Sequence, residues 1–162
     1  MTEPASDPTA EHRLVTATRE IAAPAEAIFD LIADPAQQPR WDGNDNLAEA
    51  PTGQRVTAVG DVFRMTLTKG AVRENHVVAF REGRVIAWQP APEGEEPPGH
   101  IWGWALEPHG TGTRVTHTYD WTQLQDQKRQ ARARATTAEN LSASLERLAA
   151  LAEGDVAERD EA

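Results

Sequence analysis

Residues 112–122 read GTRVTHTYDWT, and strict alternation sorts their side chains into two sets. Val115, His117, Tyr119 and Trp121 share one face, while Arg114, Thr116, Thr118 and Asp120 take the other. β-Branched and aromatic residues at a period of two make a half-buried strand. Beyond it, from about Thr122 to Glu153, the chain becomes rich in Ala, Arg, Gln and Leu, and the period turns helical. Ala138, Leu141, Leu145, Leu148 and Ala152 recur at spacings of three and four, which gives one apolar stripe. A long helix with one apolar face after such a strand is most simply buried on the concave face of a sheet.

The rest of that sheet lies upstream. Gly60, Gly70, Gly83 and the Gly110/Gly112 pair punctuate runs of strand length at 47–58, 61–69, 71–81, 84–90, 100–108 and 112–122. Their regular spacing predicts an antiparallel meander. Segment 90–100 (PAPEGEEPPGH) reads as a long loop between strands. At the start, 13–21 (RLVTATREI) favours a strand. Pro24 then opens a helix with Glu26 in its first turn and an apolar stripe of Ile28, Phe29, Leu31 and Ile32. Asp34-Pro35 stops it. A short helix or turn runs to Trp41, followed by the polar loop 42–46. The predicted order is β–α–α–six β–long α, an α+β fold.

Composition narrows the function. The chain has 162 residues, a formal net charge of −10 and 39% hydrophobic residues, which suits one domain. Residues 1–12 and 153–162 are acidic and poor in apolar side chains, so they are expected as solvated tails around a single domain at 13–152. The acidic balance argues against nucleic acid as a partner. No apolar run reaches the roughly 18 residues of a spanning helix, and no signal-peptide pattern opens the chain. The expectation is a cytoplasmic protein without membrane partners. Cysteine is absent, which excludes disulfides, thiolate zinc sites and a cysteine nucleophile. The histidines lack metal-ligand spacing, no Gly-rich phosphate loop occurs and no serine sits on a strand-to-helix elbow. Neither metal nor cofactor is expected.

Alternation also predicts what faces inward. Phe63 and Met65 share a face, as do Ile86 and Trp88, and Trp102, Trp104 and Leu106 lie together with His100. In 72–80 the apolar face of Val72, Val78 and Phe80 also carries Glu74 and His76. Arg134 lies four and seven residues before Ala138 and Leu141, on the helical stripe. Buried polar groups are costly unless they pair or meet a ligand. Large aromatics with a few convergent polar groups match the make-up of a ligand cavity. Each feature has a plainer reading. Glu74 and His76 could lie at an open sheet edge, since a one-residue slip flips them. His117, Tyr119 and the tryptophans could be satisfied core, and Arg134 could reach the helix edge. The basic run 128–134 reads as a solvated helix face.

The stretch Ile21 to Pro35 (IAAPAEAIFDLIADP) with Trp41, the later Gly60-Asp61-Val62-Phe63, the strand 113–119 and the terminal helix resemble the SRPBCC superfamily, in its START-like polyketide cyclase/dehydrase branch. The resemblance spans about 13–152. It implies a helix-grip fold, a curved seven-stranded antiparallel sheet around a long C-terminal helix. It also implies a cavity between the two for an apolar or aromatic small molecule.

Three functions follow as expectations. The first is binding of a small hydrophobic or aromatic molecule. Phe63, Met65, Val78, Trp88, Trp102, Trp104 and Leu141 would be the walls. Glu74, His76, His117 and Tyr119 would orient the ligand, with Arg134 as counter-charge. The second is a cyclase or dehydratase using His76, His117 or Glu74 as acid or base. The third is a protein-interaction module. A homodimer is compatible with each. An interior cavity of roughly 300 Å³ or more favours a ligand, and a packed interior favours a partner protein.

Overall fold

The computed structural model describes residues 12–161, with side chains through residue 155. The expected N-terminal tail therefore lies, but for its last residue, outside the described residues. Pro24 caps the first helix, and Asp34, in extended backbone, ends it. The elements run β1 (Leu14–Ile21), α1 (Ala25–Ala33), a 3-10 turn (Pro35–Gln37), α2 (Gln38–Trp41), β2 (Leu47–Glu49), β3 (Val62–Leu67), β4 (Val72–Arg81), β5 (Val85–Pro92), β6 (Ile101–His109), β7 (Gly112–Asp120), α3 (Gln127–Arg134) and α4 (Ala138–Glu161). The strands form one antiparallel sheet of seven in the order β1-β7-β6-β5-β4-β3-β2. Leu145, Leu148, Ala149 and Ala152 of α4 pack against the sheet's inner face and against Ile28, Phe29 and Ile32 of α1. No helix among the described residues is long and apolar enough to cross a membrane.

Three expectations need correction. The run 47–58 is strand only over Leu47–Glu49. Pro51 and Gly53 break it, and the chain turns inward so that Val56 is buried and donates its N–H to Ala33 O at 3.0 Å. Gln54 supplies what a strand would have given, accepting from the Arg64 N–H at 2.8 Å and donating to the Arg64 carbonyl at 3.0 Å.

The single helix expected from Thr122 to Glu153 is two helices. Asn140 Oδ1 accepts from the Thr137 N–H at 2.8 Å and from its hydroxyl at 3.1 Å, so a fresh helix starts here rather than continuing α3. The second helix runs to Glu161, into the stretch expected as a tail.

The third correction concerns β4. Val77 pairs with Trp88 but Ala79 pairs with Ala87, so Val78 is an extra residue. Such a β-bulge reverses side-chain parity along the strand. Before the bulge Asn75 and Val77 face inward; after it Phe80 does, meeting Phe29 ring to ring at 5.7 Å. Alternation carried back from Phe80 thus assigns the wrong face to everything upstream. Glu74, His76 and Val78 point outward, and Val78 is 41% exposed.

The loop after α2 is fastened to α4. The Asp42 carboxylate accepts the N–H groups of Asn44, Asn46 and Leu47, and Arg147 donates to Asp42 O at 2.7 Å. Gly43 donates to Ser144 Oγ at 3.0 Å. A Cβ on Gly43 would lie 2.5 Å from the backbone of Ala143 and Ser144. Because backbone cannot swing aside, Gly43→Ala is expected to cost about 1–3 kcal/mol. An unchanged urea midpoint would refute this close approach.

Candidate ligand site

Glu74 and His76 do not meet the interior. Glu74 lies opposite Arg64, its carboxylate 3.8 Å from that guanidinium and 2.5 Å from the Gly94 N–H it accepts. Arg64 also pairs with Glu93. His76 lies opposite the exposed Val62 and beside Gln89. This is an outer-face polar ladder.

The inward apolar residues are largely core. Phe63, Met65, Trp88, Trp104 and Leu141 are buried, with Phe63 and Trp88 ring to ring at 5.3 Å. Leu141 packs with Tyr119, Trp121, Leu124 and Ala133. His117 is stacked 3.6 Å from Trp104 at an interplanar angle of 13°, and its Nδ1 donates to Gly103 O at 2.8 Å. Full burial drives its pKa down to about 4, only partly opposed by that hydrogen bond. It is a neutral packing element with one nitrogen already committed. Arg134 lies 5.5 Å over the Trp121 ring, with Arg13 4.8 Å from the same ring. It does not join the site that its own helix helps to build.

That site is a recess of about 70 Å³ between the sheet and α3, lined by Arg73, Pro90, Pro92, Pro98, His100, Tyr119, Leu124, Arg129 and Arg132. Arg73 faces inward because it lies opposite Met65 on the near side of the bulge. His100 precedes β6, and its ring meets Tyr119 at 5.9 Å; Tyr119 in turn lies 4.2 Å from Trp102. Arg129 and Arg132, three apart, fall on one face of α3. Asp126 starts that helix, accepting from the Lys128 N–H and holding Arg129, each at 2.9 Å. Ala133 anchors it.

The recess is electropositive and under-bonded. Burial lowers the Arg73 pKa, helped by Arg132 and Arg129 and opposed by Glu95. Burial first, then Arg129, Arg73 and Arg132, lower His100 to about 4. Burial raises Tyr119 to about 12, with Arg132 acting against it. At neutral pH His100 and Tyr119 are therefore uncharged among charged guanidiniums. The buried His100 Nδ1 has no hydrogen-bond partner. Among the described residues, neither the Arg73 nor the Arg132 guanidinium makes a hydrogen bond or ion pair.

Sequence reasoning passed over Arg73, Arg129 and Arg132 and placed His100 on the right face without giving it a role. The usable signal was the Arg129/Arg132 spacing behind Asp126. A larger hollow of about 260 Å³ lies between α1, the 3-10 turn and α4, lined in part by Asp30, Asp34, Gln37 and Arg40. These four polar groups are engaged with partners of their own: Asp30 with Arg55 at 2.6 Å, Asp34 with the Ala36 N–H, and Arg40 with Gln37 at 2.7 Å.

Comparison with known proteins places this geometry. The uncharacterized protein Rv0088 of Mycobacterium tuberculosis is 31% identical over 111 residues, covering 66% of this chain and 47% of that protein. The chain spans about half the length of the curated relatives it matches. Protein NE0264 of Nitrosomonas europaea shares the fold at a TM-score of 0.69 and 14% identity, over 89% of this chain and 96% of that one. DynU16, a protein of the dynemicin biosynthetic locus, does so at 0.61 and 17%, over 88% of this chain and 48% of its own. The helix-grip architecture is common to this chain and these two solved structures. The sequence model for "Polyketide cyclase / dehydrase and lipid transport" matches residues 12–153, and the chain belongs to that SRPBCC-type family.

Proposed function

We propose that the chain binds a small organic molecule at the recess between the inner face of the sheet and α3. The observation that carries this reading is the buried His100 Nδ1, which has no hydrogen-bond partner, facing the half-buried guanidinium of Arg73 and the exposed one of Arg132 across the same recess. Native interiors satisfy such groups or reserve them for a ligand or water. Tyr119, Leu124 and the prolines supply apolar surface for the body of the ligand. At about 70 Å³ the recess is well below the roughly 300 Å³ of a preformed pocket. Occupancy by a ring system therefore requires α3 to lift. The interruption between Arg134 and Ala138 and the single buried residue of α3, Ala133, make that motion inexpensive.

Trp102, in contact with Tyr119, is the reporter. Polyphenols, sterols and fatty acids titrated into the protein are expected to include ligands that change tryptophan emission saturably. Tyr119→Ala should weaken them about tenfold, as expected for loss of one buried ring face. A panel that leaves emission unchanged removes the reading. The packed sheet–helix interior would then favour the interaction module.

Cyclase or dehydratase chemistry at this recess would fall to His100 and Tyr119, because His76 faces outward and His117 is committed to Gly103 O. His100→Gln should then lower kcat by far more than it weakens ligand binding.

A further inference from the structure

We infer that the group entering the recess is a carboxylate, so that the ligand is a small organic acid; this rests on the small-molecule reading above. Three guanidiniums converge there from two elements, Arg73 from β4 and Arg129 and Arg132 from α3. Asp126, the acid that pairs with one of them, is spent on Arg129 and on the α3 N-terminus. Arg73, half-buried, and Arg132, exposed, stand without a counter-ion in contact, and Glu95 acts on Arg73 only from beyond ion-pair distance. Like charges held together in a chain of net charge −10 are unfavourable until an anion joins them. The planar guanidinium fork matches a carboxylate in two-point contact. His100 adds a neutral imidazole whose buried Nδ1 lacks a partner and which completes the cradle with either a donor or an acceptor. The walls between these groups, Pro90, Pro92 and Leu124, are apolar, which suits an organic body better than a bare inorganic ion. The present volume holds a headgroup, with the rest of the acid toward the edge of α3.

The test uses a matched set: 2-naphthoate, its neutral amide, and inorganic phosphate, read by tryptophan emission and by calorimetry. The full chain should bind naphthoate at least tenfold tighter than the amide, in the range expected for a charge-assisted contact. That preference should fall to within about twofold in Arg73→Gln/Arg132→Gln, and partway in Arg132→Gln alone. It should survive in Arg64→Gln, whose charge lies on the outer face. Removing mutually repelling charges should leave the fold intact, which circular dichroism verifies. Equal binding of acid and amide overturns the carboxylate while leaving the ligand reading standing. Phosphate binding as tightly as naphthoate overturns it in favour of an inorganic anion. Binding of neither naphthalene compound at millimolar concentration overturns both readings.

Discussion

Between pH 6.5 and about 4 the protein is expected to lose stability steeply, by roughly 3 kcal/mol from His117 and by a smaller amount from His100. Both imidazoles have pKa values lowered from the ordinary 6.5 to about 4 in the folded chain, His117 by burial and His100 by burial and by Arg129, Arg73 and Arg132. The direction follows from proton counting. In this window the unfolded chain takes up protons that the folded chain refuses, so acid favours unfolding. The stabilisation is complete above pH 6.5 and is lost as the pH falls through the folded values. Carboxylate titration adds to the loss only toward the bottom of the window. Urea midpoints at half-unit steps from pH 7.5 to 4.5 measure it. Replacing His117 by Phe should flatten most of the slope, whatever it does to the plateau. A wild-type midpoint constant across the range would mean that neither ring is held neutral.

The second large effect is at Trp104. It is 2% exposed, stacks on His117 and meets Trp41 edge to face at 5.1 Å. Truncation to Ala empties a site at the junction of β6, β7 and α2, and should cost about 3–5 kcal/mol. At roughly 2–4 °C per kcal/mol for a chain of this size, Tm should fall by about 10 °C. The indole Nε1 is buried without a hydrogen-bond partner. Trp104→Phe deletes that orphan donor and keeps a ring against His117, so it should lose much less than Trp104→Ala. Equal losses for Ala and Phe would show that the nitrogen has an unseen partner and that ring stacking contributes little.

What the sequence disclosed and what it concealed have separate physical causes. The strand runs other than 47–58, the Pro24 start, the Asp34-Pro35 stop and the α4 stripe from Leu141 to Ala152 are local patterns, and each holds in the fold. Phe63, Met65, Trp88, Trp104, His117 and Tyr119 face inward as alternation requires, because β3, β5, β6 and β7 pair there without register shifts. Glu74 and His76 are misplaced by a bulge at Val78, which no residue type announces. The split between α3 and α4 rests on the Asn140 side chain bonding back to Thr137, a contact that a smooth run of helix formers hides. Arg129 and Arg132 look like solvated charges one-dimensionally. Only the docking of α3 against Pro90, Pro92 and Tyr119 brings them to Arg73.

The pairing of β1 with β7 has a consequence for biosynthesis. Thr18 and Thr116 touch hydroxyl to hydroxyl at 3.2 Å although 98 residues separate them, and among the described residues β1 has no other neighbour in the sheet. A nascent chain leaving the ribosome therefore carries its first strand unmatched until the last one emerges, on the order of ten seconds at ordinary elongation rates. Through that interval only Arg19 and Glu20 charge its open edge. Closure of the sheet is thus a late, long-range event, and the speed of translation through residues 22–112 sets how long that strand stays available to the wrong partner.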